Sequence, residues 1–147
     1  MIETLTGKYQ TAQDGEEFII LNVAGVGYKV FCAAAVEKKA MEVSQVTTEH
    51  PEAEEITLLI HEHINIPRIG PSSWNLYGFL DFKDRFLFRE LLKVDKVGPS
   101  KAMGVMGIGS SDQIIQAIRM GSEKYLQRGA GEKTAQAIIL ELGKKLN

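Results

Sequence analysis

The hydrophobic period of this chain changes once, near residue 80, and that change limits the folds open to it. Before it, apolar residues alternate at period two or run in short blocks closed by glycine. After it, they recur at helical spacing. Glu17–Val23 is a strongly apolar strand that Ala24-Gly25-Val26-Gly27 turns or bulges into Tyr28–Cys32. Thr6–Lys8 opens a strand ahead of it, Glu55–Ile64 forms another, and Trp74–Phe79 is the last. Five or six short strands with glycine turns predict a small closed barrel of the oligonucleotide/oligosaccharide-binding kind over residues 1–79. Within this stretch, residues 33–54 predict a short helix followed by an acidic loop. Residues 65–73 are a breaker-rich connection.

Residues 80–147 predict an α-helical domain, so the fold class expected is α+β. Asp81 is placed to cap a helix carrying Phe82, Phe86, Leu87 and Leu91. Pro99 suits the first position of the next helix. Ser110-Ser111-Asp112-Gln113 reads as a capping box opening Ile114–Met120, which Gly121 ends. Ala135, Ile138, Ile139, Leu142 and Leu146 form the stripe of a final helix. The Phe, Met and Ile residues of these helices are expected in the core.

Two glycine-centred turns lie between those helices. One is Val97-Gly98-Pro99-Ser100-Lys101, the other Gly129-Ala130-Gly131-Glu132-Lys133-Thr134, and 33 positions separate Gly98 from Gly131. A glycine turn entering a helix presents backbone N–H groups where the helix dipole favours an anion. A lysine follows each glycine and adds a point charge. The pair predicts tandem helix-hairpin-helix units that hold DNA phosphates through Lys96, Val97, Gly98, Ser100, Lys101, Gly129, Gly131, Lys133 and Thr134.

Charge supports the assignment. Residues 1–79 hold 5 Lys/Arg against 11 Asp/Glu, whereas residues 80–147, with both turns, hold 12 against 8. No apolar run reaches a membrane span, and Met1–Thr4 lacks the features of a signal peptide, so the expected compartment is the cytoplasm. Cys32 is the single cysteine, which leaves no internal disulfide. His61 and His63 share a strand face, but only His50 remains as a further histidine, and neither a metal nor a cofactor is expected. Gly25-Val26-Gly27 lacks the third glycine and following helix of a dinucleotide site. A DNA glycosylase needs a catalytic residue in a pocket between larger helical domains, so no enzyme activity and no catalytic residue is expected.

The order of pieces resembles the RuvA family of Holliday-junction-binding subunits. Met1-Ile2, Val23-Ala24-Gly25-Val26-Gly27-Tyr28, Leu76-Tyr77-Gly78-Phe79, Leu87-Phe88-Arg89-Glu90-Leu91, Val97-Gly98-Pro99 and Lys133-Thr134-Ala135 follow the family's order over nearly the whole chain. The resemblance implies a homotetramer that holds a four-way junction flat in recombination and repair, and recruits a ring-shaped motor ATPase. It covers the family's first two domains. This sequence stops at Leu146-Asn147, before a stretch matching the family's third domain, which binds the motor, so the motor partner is left open.

The chain also departs from the family. The family carries paired acidic residues on a loop at the junction centre; the matching stretch here, Ile64–Ser73, is longer and its only charge is Arg68. The first hairpin has Lys96 where the family has glycine. The second has Glu132 in place of a basic residue and Gln127 in place of an apolar one. The segment around 40–54 is longer and acidic. These departures keep a second reading open: a RuvA-like scaffold or assembly protein that binds DNA generally, or modulates the junction complex without activating the motor.

Overall fold

A computed structural model describes residues 1–10, 17–49 and 51–146. The chain divides into two compact units, Met1–Phe82 and Lys83–Asn147.

The first unit is a closed barrel of five strands: β1 (Thr4–Gln10), β2 (Phe18–Val23), β3 (Val26–Phe31), β4 (Ile56–Asn65) and β5 (Ser73–Phe79). Their order around the barrel is β1-β2-β3-β5-β4, with β4 closing on β1. All neighbours are antiparallel except β3 and β5. This is the expected oligonucleotide-binding type of barrel. Ala24-Gly25 makes a two-residue hairpin with both φ angles positive, which matches the twist of its strands. The glycine amide there donates to Asn22 Oδ1 at 2.9 Å.

Period-two alternation sends Leu5, Ile19, Leu21, Val30, Leu58, Ile60 and Leu76 into the barrel. Helix α1 (Ala34–Ser44) adds Val36 and Ala40 to the same core. Cys32 is buried there too. Burial, with the charge of Glu37 behind it, pushes its thiol up to about 12, so it packs as a neutral side chain.

The second unit is helical: α2 (Phe82–Leu92), α3 (Pro99–Met106), α4 (Ser111–Met120), the single turn α5 (Glu123–Leu126) and α6 (Glu132–Leu142). Leu87, Phe88, Leu91, Val105, Ile114, Ile118, Leu126 and Ile138 form its core. Ser110 and Gln113 complete the capping box, and Gly121 ends α4 in a left-handed conformation.

Two aromatic expectations need correction. Phe82 is 71% exposed and Phe86 also faces outward, because the buried stripe of α2 is Leu87, Phe88 and Leu91 on its other side. Met120 is likewise exposed: α4 buries Ile114, Ala117 and Ile118 instead. Ile139 is only half-buried.

Among the described residues no helix is long and apolar enough to cross a membrane.

Candidate nucleic-acid interface

Each glycine turn becomes the entrance to a helix. Gly98 is the N-cap of α3, with φ −89° and ψ 179°; Gly131 is the N-cap of α6, with φ −66° and ψ 167°. The first intrahelical bonds run from Ala102 N to Gly98 O at 3.0 Å and from Ala135 N to Gly131 O at 2.9 Å. Helix geometry therefore leaves the N–H groups of Ser100 and Lys101, and those of Glu132, Lys133 and Thr134, without an acceptor inside their own helix. Neither N-cap supplies one from a side chain, whereas α4, in the same unit, has a complete capping box.

The backbone angles at Gly98 and Gly131 are ones that any residue adopts. A Cβ added at either would meet nothing within 4 Å. The fold thus requires glycine at neither position. What glycine provides is open space over a row of amides.

Gly129 is different. An ideal Cβ on Gly104 of α3 would lie 2.6 Å from the Gly129 carbonyl oxygen, and one on Gly129 would come closer still to the Gly104 carbonyl. These two glycines let the first hairpin's helix meet the second hairpin's loop backbone to backbone. Gly129 is half-buried in that contact. Val97 is also a scaffold residue: its side chain is buried and its amide donates to Val94 O at 3.1 Å, so the turn offers its main chain, not the valine side chain.

The cations sort by their partners. Lys93 and Lys145 both hold Glu90 at 2.8 Å, and Lys83 holds Asp112 at 2.7 Å. Lys96, Lys101 and Lys133 are exposed, and none is in an ion pair among the described residues. Lys101 Nζ reaches back to the Lys96 carbonyl at 3.5 Å, which holds its charge over the first turn. Lys96 itself has φ +64°, the left-handed conformation that glycine takes without strain. Glu132 is exposed at the first position of α6, where the dipole suits it.

One basic residue escaped the sequence reading. The guanidinium of Arg128 lies 5.5 Å from the Tyr125 ring centroid, a stacking contact on the residue that precedes the second glycine turn. Its place directly before Gly129 was the available signal.

In the first unit, Arg68 is exposed in the connection between β4 and β5. The His61 and His63 rings lie 6.1 Å apart between centroids. Among the described residues no group of three or more metal-ligating side chains occurs, and His50 falls outside them.

Residues 1–78 match the RuvA N terminal domain model, which is over half of the chain. The chain belongs to the RuvA family. Residues 88–144 match the SAM-like Helix-hairpin-helix tandem model, covering both glycine turns. Curated relatives named Holliday junction branch migration complex subunit RuvA include those of Lactobacillus johnsonii, 34% identical over 88% of this chain and 59% of the relative. Those of Oenococcus oeni and Bacillus thuringiensis are each 32% identical over 99% of this chain, covering 66% and 63% of their own lengths. The chain thus spans about three fifths of the RuvA relatives it matches.

Proposed function

We propose that this chain is a non-catalytic, structure-selective binder of four-way-junction DNA, acting in recombination and repair. The observation that carries this reading is the pair of uncapped helix entrances at Gly98 and Gly131. Each has open space where a side chain would stand, and each has an unpaired lysine beside it. Phosphates are strong acceptors for such amides, and the lysines add long-range attraction. Contacts of this kind fix position on DNA without reading sequence, so selectivity comes from shape. The relatives' shared name supports the junction as that shape.

Ser100, Lys101, Gly131, Lys133 and Thr134 would meet phosphate through main-chain amides or charge, with Lys96 as an added cation. Val97 and Gly129 hold the turns in place. A junction has several equivalent arms, so we assign the chain to a closed homo-oligomer, a tetramer, with the barrel unit as its assembly surface. The compartment we assign is the cytoplasm. The relatives' name assigns them to a branch migration complex, and a partner subunit of such a complex is left open in this reading.

The test is a gel-shift comparison of a synthetic four-way junction with linear duplex of equal length. Preference for the junction by tenfold or more is expected. Equal affinity would leave the general DNA scaffold in its place, and no binding to either would sink both DNA readings.

A further inference from the structure

The β4–β5 ribbon outruns its barrel. β4 pairs with β1 over Ile56–Leu59, and β5 pairs with β3 at Leu76 and Tyr77. The two strands continue to pair with each other as far as Asn65 and Ser73. Beyond the rim, Glu62–Asn65 and Ser73–Asn75 have no third strand beside them among the described residues.

Past Glu62 the core-side face of the ribbon is apolar again. Ile60 and Leu76 point into the core; Glu62, opposite Leu76, accepts from the Ile2 amide, and Ile64 and Trp74, further out on the same faces, form a cross-strand pair in the open. Trp74 is 63% exposed, Ile66 77% and Ile69 92%. A ribbon tip projecting into water has no folding reason to carry a tryptophan and three isoleucines. Charge is equally selective. From residue 63 to residue 80 the only Lys, Arg, Asp or Glu is Arg68, in a half of the chain where acidic residues outnumber basic ones two to one.

We infer that this tip binds unpaired nucleobases, with Trp74 stacking on a base, Ile66 and Ile69 wedged beside it, and Arg68 on the adjoining phosphate. The inference rests on the junction-binding reading and specifies what the barrel unit does at the branch point. An aromatic face with neighbouring apolar side chains accepts any base, and apolar wedges inserted between base steps hold them apart. Arg68, with no carboxylate near it in sequence, complements a polyanion.

Trp74 is the only tryptophan, so its emission reports on the tip alone. The intact chain is titrated with oligo(dT), a four-way junction and linear duplex. Quenching by oligo(dT) and by the junction, but not by duplex, is expected. By anisotropy of a dye-labelled oligo(dT), which does not depend on the tryptophan, Trp74→Ser and Ile69→Ser are each expected to weaken binding about tenfold, with Trp74→Phe restoring most of it. Unchanged Trp74 emission in a sample saturated with junction overturns the inference and leaves junction binding standing. Failure to bind junction at all removes the reading beneath it, while the oligo(dT) titration still reports on the tip itself. Emission that changes with protein concentration alone assigns the tip to a second copy of the chain, and emission that shifts only with anionic vesicles assigns it to a lipid surface. Either result overturns base stacking.

Discussion

Gly104 of α3 and Gly129 before α6 meet backbone to backbone, with no room for a methyl group between them. The contact fixes the spacing of the two hairpins and, on the proposed reading, of the phosphates they would hold. Alanine at 104 gains about 1 kcal/mol in helix propensity, yet it drives a Cβ to within 2.6 Å of a carbonyl. Overpacking of that kind costs about 1–3 kcal/mol, so packing wins. Gly104→Ala should lower stability in urea by about 1 kcal/mol and weaken junction affinity beyond what lost folding explains.

The N-cap glycines offer the opposite sign. Serine is a better N-cap than glycine by a few tenths of a kcal/mol, and the backbone angles at Gly98 and Gly131 already suit it. Gly98→Ser and Gly131→Ser should therefore leave thermal stability unchanged or slightly raised. Their hydroxyls would take the amides and fill the open space, weakening junction binding about tenfold. Loss of binding with loss of stability would instead make these glycines structural.

Lys96 trades backbone ease for charge. A non-glycine residue at φ +64° costs on the order of 1 kcal/mol. Lys96→Gly should raise the unfolding free energy measured in urea by about that amount while lowering affinity for junction DNA, most clearly at low salt.

How much of this was legible in the sequence follows from what each signal depends on. Strand alternation and the Ser110–Gln113 cap are local, so the barrel, the helices and the capping box could be read directly. Phe82 and Phe86 misled because hydrophobicity alone does not say which side of α2 meets the core. The glycines of the second turn looked alike, and only the Gly104 contact separates Gly129, held by packing, from Gly131, held by nothing in the fold. The exposed Trp74–Ile64 pair was hidden because its alternation continues the barrel pattern past the point where the barrel ends.

Glu90 ties pH to the helical unit. Burial pushes its carboxyl pKa upward, but Lys145 and Lys93 outweigh that and hold it below the ordinary glutamate value of 4.5. A carboxyl with a lowered folded value stabilises above its unfolded pKa and loses that contribution as pH falls through the folded one. Glu90→Gln should cost about 1 kcal/mol at neutral pH, and the difference from the parent should fade in acid, as urea unfolding at a series of pH values would record.

The central claim is that two lysine-flanked helix entrances hold DNA by its phosphates. Its most direct test is junction affinity against salt concentration, for the parent chain and for the paired change Lys101→Gln with Lys133→Gln. The account predicts a steep fall with salt in the parent and a slope shallower by about 2 per chain in the variant, with thermal stability unchanged. A slope identical in the two proteins, with both folded, would contradict it.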